Sequence, residues 1–404
     1  MAVEPGPLAD LRVIDLTHYI AGPYCTKLLA DYGADVVKVE RPTGDPCRTL
    51  GPFPGDQPDP EKSGLFLYLN TNKRGVVLDL KSERGKEALR RLVATADLVV
   101  ESFRPGVLDR LGFGFQALQA IKPGIGLVSI SNFGQSGPYR DYKATDLTLF
   151  AMGGEMYSMG VPDRPPVQQG PLVALVQAGA AAADAALALV FSSRFQGEGQ
   201  HADVAIMEAH AAGVDRRAQC IVAYSFSGLV NYRVPGFGAG FPGGAYPCQD
   251  GYFHLSGGAA HWNRIVRMVG EPEFLEDPKW TTPTAQNDPA LKEEFDAFFF
   301  GWVMERTQVE CWAAGQAAHV LCAPLYTTAD IYGDPVLRER GAWQVVEHPL
   351  AGTHEYPGRP FIMPRSPWEI RRPAPRLGEH TAEVLGEVGF KPDEITGMTS
   401  PGTR

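Results

Sequence analysis

Residues 11–40 read LRVIDLTHYIAGPYCTKLLADYGADVVKVE, and this stretch decides what kind of fold to expect. Leu11–Leu16 is a short apolar run. Pro23–Tyr32 has helical spacing and stops at Gly33, a residue suited to the left-handed turn that closes a helix. Asp35–Glu40 is a second apolar run. A strand, a helix and a strand in close succession read as a parallel βαβ unit. The pattern recurs in a strand Val76–Leu80, a helix from Ser82 to about Ala94, and strands Asp97–Glu101 and Ile125–Ser131. Alternation of this kind predicts an α/β fold with a doubly wound, Rossmann-like parallel sheet. Thr43–Gly64, rich in Pro, Gly and Asp, reads as a surface loop.

Outward from this block the composition changes. Pro171–Phe191 is long and apolar enough to raise the question of a membrane span. Its alanines, with Gln177 and Asp184 among them, fit a buried, closely packed helix better. A helix is expected around Met207–Val222. Asn231–Gly251 is dense in Gly, Pro and aromatic residues and reads as loops and short strands. Tyr252–Leu255 reads as a strand, and Trp262–Gly270 and Leu291–Gln308 as helices. The chain thus divides into a large Rossmann-like domain over 1–226, a smaller α+β domain over 227–315, and a segment 316–404 that returns to the first.

A chain of 404 residues supports two cores. Its 44% hydrophobic and 21% charged residues fit a globular protein. The formal net charge of −10 argues against nucleic acid as a partner, since polyanion binding needs a basic surface. Six scattered cysteines, with no CxxC pair, read as reduced thiols in a cytoplasmic protein rather than as a disulfide or metal framework. The opening MAVEPGPLADLRV has neither the basic nor the apolar region of a signal peptide. No metal-ligand spacing is visible among the histidines.

In an open parallel sheet, ligands bind beyond the carboxyl ends of the strands. Thr17, His18, Tyr19 and Ala21 follow the first strand. Glu40 and Arg41 close the second. Asn72, Lys73 and Arg74 precede the third. Ser102, Phe103, Arg104 and then Arg110 follow the fourth, and Asn132 and later Lys143 the fifth. Any one of these bases alone is more simply a surface charge. Arg41, Lys73, Arg104, Arg110 and Lys143 together point to a phosphate-bearing, nucleotide-like ligand. Phe103 and Tyr19 could pack against an adenine. The first turn, THYIAGPY, has no GxGxxG, which disfavours a dinucleotide-binding dehydrogenase.

Several stretches in fitting order closely resemble the family III CoA-transferases. They are the opening run extended to Asp45, then LNTNKRGVVLDL, ADLVVESFRPGVLDRLGF and SNFGQSGPY, and later VEHPLAG and LGEHTAEVL. The resemblance implies that CoA or an acyl-CoA is bound as substrate, with no tightly held cofactor. The residues matching CoA contacts are His18, Ala21, Arg41, Lys73, Phe103, Arg104, Arg110 and Lys143. Ser102 stands where many members have asparagine. The resemblance also implies two chains interlocked like rings, with each active site formed by the large domain of one and the small domain of the other. Gly257-Gly258 resembles a shortened form of the family's active-site glycine loop.

GPLVALVQAG, residues 170–179, resembles the segment that carries the family's nucleophilic aspartate, four residues before the glycine. Here that glycine is Gly179 and the aspartate position is Leu175. A carboxylate attacks the thioester in this family, and leucine can neither attack nor accept a proton. No catalytic residue is therefore assigned. In related racemases the histidine of the acid–base pair would fall at Thr145, so both members of that pair are missing as well. Glu155 is the candidate substitute carboxylate, ahead of Asp184 and Glu208. The expectation is a non-nucleophilic subunit, partnered by an aspartate-bearing paralogue as in two-subunit members that move CoA from succinyl-CoA to benzylsuccinate. A homodimeric, non-catalytic CoA-ester binding protein is the alternative.

Overall fold

The computed structural model describes residues 6–212, 216–233 and 241–399. Part of the Asn231–Gly251 stretch and the last residues of the tail therefore lie outside the described residues. Six strands form one parallel sheet: β1 (Arg12–Leu16), β2 (Asp35–Glu40), β3 (Arg74–Val77), β4 (Leu98–Glu101), β5 (Gly126–Ser131) and β6 (His201–Ala205). Their order is β3-β2-β1-β4-β5-β6. Nearly every residue of β1 to β5 is buried, as expected of strands covered on both faces. Successive side chains enter opposite cores. Val13 packs with the first helix, α1 (Ala21–Asp31), whereas Ile14 and Leu16 pack with residues of a later helix, Glu83–Thr95.

The other helices of this unit are α2 (Gly64–Leu69), α3 (Glu83–Thr95), α4 (Val107–Leu111), α5 (Phe115–Ile121), α6 (Asp146–Met152), α7 (Val173–Gln196), α8 (Ile206–Ala211) and α9 (Arg216–Ser227). Ser82 caps α3 by accepting a hydrogen bond from Gly85 N at 3.0 Å. The alanine-rich α7 is long and apolar enough to cross a membrane, yet half of its most apolar window is buried inside the protein. It packs against α1 at Gly179, where a side chain would put its first carbon 2.5 Å from the Ala21 carbonyl oxygen. The helix expected over Met207–Val222 is two helices, α8 and α9, and the residues between Ala212 and Arg216 lie outside the described set.

The chain separates into two compact units. One comprises the residues up to Tyr157, Gln168–Val230 and those from Glu339 onward, and the other comprises Ser158–Val167 and Asn231–Arg338. The second unit has an antiparallel sheet of β7 (Gly244–Pro247), β8 (Tyr252–Ser256) and β9 (Leu321–Pro324). Its helices are α10 (Trp262–Met268), α11 (Pro289–Met304), α12 (Gln308–Ala317) and α13 (Thr328–Gly333), with α14 (Pro335–Glu339) at its end. Its core is aromatic, with Trp262 and Trp280 stacked at 5.2 Å beside Phe295 and Phe299. The unit runs past the expected limit at 315 because β9 pairs with β8, placing Leu255 opposite Cys322. The single helix expected over Leu291–Gln308 ends at Met304. Thr307 then starts α12 with a reciprocal cap to Glu310.

The returning segment forms a hairpin of β10 (Trp343–His348) and β11 (Gly352–Pro357), then α15 (Thr381–Glu387) and α16 (Pro392–Thr399). Asn72 fastens it to the first unit, its Oδ1 accepting bonds from Arg371 N at 2.7 Å and Arg372 N at 3.2 Å. Arg74 adds ion pairs to Asp35, Glu383 and Glu387. Thr43–Gly64 is not simply a surface loop. Its tip is exposed, but Asp45, Cys47, Arg48 and Ser63 are buried at its base. All six cysteines are free thiols.

Candidate functional site

Strand order reverses between β1 and β4, and a cavity of about 640 Å³ opens there. This is the crevice that an open α/β sheet offers a ligand, and its volume lies within the roughly 300–1,000 Å³ of small-molecule sites. His18, Tyr19, Ile20 and Ala21 contribute from the turn between β1 and α1. Ser102, Phe103, Arg104 and Arg110 contribute from the segment after β4. Ser131 ends β5, Asn132 and Arg140–Ala144 follow it, and Leu175 and Ile206 come from α7 and α8.

The turn that presents His18 rests on buried charge. Asp15 accepts bonds from Thr17 N at 2.9 Å, from Thr26 Oγ1 at 2.6 Å and from Lys73 Nζ at 3.1 Å. Lys38 Nζ donates to the Thr17 carbonyl at 3.1 Å and to Asp45 Oδ2 at 2.8 Å. Asp45 Oδ1 in turn accepts from Tyr19 N at 3.0 Å, which holds Tyr19 at φ 72°. Arg48 closes the set with two bonds to Glu40, at 2.8 and 2.7 Å, while lying over the Phe66 ring. Burial alone would raise the Asp15 pKa, but Lys73 and Lys38 outweigh it and hold the group well below the carboxylate range. Burial pulls Lys73 down to about 8, against the opposing pull of Asp15. Burial, and then the charge of Lys38, lowers the His18 pKa and favours the neutral ring.

Two of the residues expected to contact CoA, Lys73 and Arg41, lie outside the cavity lining. The Lys73 side chain is fully buried, and its ammonium is engaged by Asp15, the Pro23 carbonyl and Asn70 Oδ1. It serves the turn and does not face the cavity. Arg41 is exposed, donates from Nε to the Gly44 carbonyl at 2.9 Å, and is absent from the cavity lining. His18, Ala21, Phe103, Arg104, Arg110 and Lys143 do line it. His18 N donates to Ser102 Oγ at 2.8 Å, tying the first turn to the end of β4, and the His18 and Phe103 rings lie 5.6 Å apart. His18 Nε2 and Ser131 Oγ, on two residues of the lining, are buried and have no hydrogen-bond partner among the described residues.

Leu175 is 6% exposed and forms part of the cavity wall in the first turn of α7. The start of that helix is set by Asp146, whose Oδ2 accepts bonds from Leu172 N at 2.9 Å and Gln168 Nε2 at 3.2 Å. Thr145 caps α6 through Thr148. Neither Glu155, Asp184 nor Glu208 lines the cavity, and Asp184 and Glu208 are exposed on their helices. Asp141 is the one carboxylate in the lining among the described residues, and it is exposed.

Sequence reasoning missed Arg140, Asp141 and Tyr142. They sit on a segment braced by Phe133, Tyr139 and Tyr142, whose rings are 5.3–6.4 Å apart. The SGPYRDYK run alone signals a turn, and its aromatic spacing is the only hint of an ordered rim. Glu101 was also missed. It is buried at the end of β4 and accepts a bond from Phe103 N at 2.6 Å. Burial, with Asp109 and Asp203 nearby, outweighs its hydrogen bonds from Ser129 and Phe103 and pushes its pKa up to about 7.

Residues 8–381 match the model of CoA-transferase family III. The chain is 34% identical over 401 residues to subunit BbsE of succinyl-CoA:(R)-benzylsuccinate CoA-transferase from Thauera aromatica, covering 97% of this chain and 96% of that one. It is 35% identical over 417 residues to formyl-CoA:oxalate CoA-transferase from Streptomyces avermitilis, with 98% of each covered. A crystal structure of a CAIB/BAIF family protein from Brucella suis matches with a TM-score of 0.84 at 29% identity, over 95% of this chain and 100% of that one.

Proposed function

The chain belongs to CoA-transferase family III, and on that premise we propose that it is the non-nucleophilic subunit of a heteromeric CoA-transferase. A paralogous partner chain supplies the aspartate. The enzyme moves CoA from an acyl-CoA donor, succinyl-CoA, to a carboxylic acid acceptor. The observation that carries this reading is Leu175, an alkyl group on the wall of the cavity where the family resemblance puts the attacking carboxylate. Transfer through a covalent acyl intermediate needs an ionisable oxygen within reach of the thioester carbonyl. Loss of such a group removes several powers of ten in rate.

His18, Ala21, Phe103, Arg104, Arg110 and Lys143 are proposed to hold CoA, with the cations on its phosphates and Phe103 beside the adenine. In an interlocked pair, the smaller unit of this chain completes the partner's active site. The likeness to a subunit of a benzylsuccinate-activating enzyme makes benzylsuccinate the first acceptor to try.

The test is succinyl-CoA-dependent transfer to a panel of carboxylic acids, by the purified chain alone and after co-expression with an aspartate-bearing paralogue. Transfer by the co-expressed pair and none by the chain alone is the expected result. Transfer by the chain alone ends the proposal and turns attention to Asp141. A second reading, a homodimeric CoA-ester binding protein without catalysis, draws on the cations that this chain's own cavity retains. Tight succinyl-CoA binding by a chain that forms no complex with the paralogue would favour it.

A further inference from the structure

Two turns at the carboxyl end of the sheet are built alike. At the end of β1, Asp15 accepts a bond from Thr17 N, two residues on, at 2.9 Å. At the end of β4, Glu101 accepts one from Phe103 N, also two residues on, at 2.6 Å. The first carboxylate is paired with Lys73 at 3.1 Å. The second has no ion-pair partner among the described residues, and Asp109 of α4 and Asp203 of β6 place like charge around it. Beside it β1 presents Leu16, which carries no charge. Arg104 and Arg110, on the segment that follows, line the cavity. A buried carboxyl group in such a setting keeps its proton to about pH 7.

Glu101 is only 3% exposed, so its proton needs a path, and the sheet provides one. Strand register sets Glu101 beside Ser129 and Ser129 beside Asp203. Residues two apart on a strand share a face, so His201 lies on the same side as Asp203. Ser129 hydrogen-bonds Glu101, and its Oγ lies 2.9 Å from His201 Nε2. The His201 ring stacks on Phe115 at 5.7 Å, while the residue remains exposed. Desolvation of that ring lowers its pKa from the ordinary 6.5, against the pull of Asp203 and Asp109, so it is neutral at pH 7 and above. Three groups thus lead from solvent to the turn that presents Phe103 to the cavity.

We infer that His201, Ser129 and Glu101 form a proton relay, and that Glu101 is a positioning residue that sets the Phe103 turn and takes up a proton when an anion occupies the cavity. A proton entering at His201 Nδ1 releases the one on Nε2 to Ser129 Oγ, and the serine passes its own to Glu101. Afterwards the acid donates to Ser129 and Ser129 donates to His201 Nε2. The neutral ring has then changed from its Nε2–H to its Nδ1–H form. An anion beyond Phe103 adds to the negative charge that already disfavours the carboxylate, and by linkage the protonated state binds that anion more tightly. The coupling to an anion rests on the reading that this chain's cavity binds CoA, whereas the relay does not.

Two measurements on the full-length chain test it. Nitrogen-15 NMR of the His201 ring, without ligand, is expected to show the ring passing from mainly Nδ1–H to mainly Nε2–H as pH rises from about 6.5 to about 8.5. Ser129→Ala and Glu101→Gln are each expected to abolish that change. A ring that keeps one form throughout in the unsubstituted chain, or a change that persists in Glu101→Gln, overturns the relay. Titration calorimetry with CoA over the same range, in two buffers of different ionisation heat, reads the coupling. The unsubstituted chain should bind CoA at least about fivefold more weakly at the upper pH than at the lower and take up protons on binding. Glu101→Gln keeps an acceptor for Phe103 N and should lose most of both effects. Equal proton uptake and equal pH dependence in the two proteins overturn the coupling. Absence of CoA binding by the folded, unsubstituted chain overturns the CoA reading and the coupling with it, while the NMR result still decides the relay.

Discussion

Two sets of charged residues lie at the same end of the sheet and behave in opposite ways. Beneath the turn between β1 and α1, Asp15, Lys73, Lys38, Asp45, Glu40 and Arg48 are buried and paired, each with a partner between 2.6 and 3.1 Å. Around the cavity, Arg104, Arg110 and Lys143 are exposed, and Arg140 is half-buried with an Nε that has no partner among the described residues. The first set holds a backbone turn in place, and the second is available to an anion. Both would be read from sequence as bases at strand ends. What separates them is whether a carboxylate is buried with the base, because an unpaired buried charge is untenable while a rim charge stays solvated.

The sharpest way to break this contrast is to remove one member of the buried set. Lys73→Met leaves Asp15 charged in the interior and is expected to destabilise the protein by about 3–5 kcal/mol, measured by urea unfolding. The double substitution Asp15→Asn with Lys73→Met should cost clearly less than the sum of the two single changes. Additive losses would mean that the two groups do not act as a pair.

Glu101 stands between the two sets, buried like the first and, like the second, without an ion-pair partner among the described residues. Its pKa in the folded chain is raised from 4.5 to about 7. A raised folded value means that the folded state holds the proton more tightly than the unfolded one. The stability it lends is whole below pH 4.5 and is lost as pH rises through 7. Glu101→Gln should therefore match the parent near pH 4 and exceed it by on the order of 3 kcal/mol at pH 8. Stability curves for the two proteins that stay parallel from pH 4 to 8 would remove Glu101 as a titrating group.

A cavity cation should show the reverse profile. Arg110→Ala is expected to change folding stability by no more than about 0.5 kcal/mol while weakening CoA binding by about 1.5–3 kcal/mol, read by titration calorimetry. The loss should shrink as salt is raised. Arg41→Ala is expected to have the smallest effect, within about 0.5 kcal/mol on both measures, because its guanidinium is exposed and turned to the Gly44 carbonyl. A loss of CoA affinity as large as that of Arg110→Ala would return Arg41 to the binding site.

Much of this architecture was legible from local pattern. The βαβ alternation, the capping Ser82 and the alanine-rich helix before Gly197 all follow from spacing and residue type. The limit of the second unit was not legible, because it depends on β9 pairing with a strand some 65 residues earlier, a contact between distant parts of the chain. The base of the Thr43–Gly64 insert was missed for a related reason. Its Pro and Gly content marks a loop, whereas the burial of Arg48 depends on Glu40 and Phe66 meeting it in space.

The sequence by itself determined the class of fold, the family resemblance and the identity of residue 175, since each depends on residue type and order along the chain. Only the tertiary structure decided that Leu175 faces the cavity, that Lys73 is withdrawn from it, and that Arg140 opens into it. Those outcomes turn on which groups share a buried volume, and electrostatic energy depends on distance and on exposure to water, neither of which a linear spacing records.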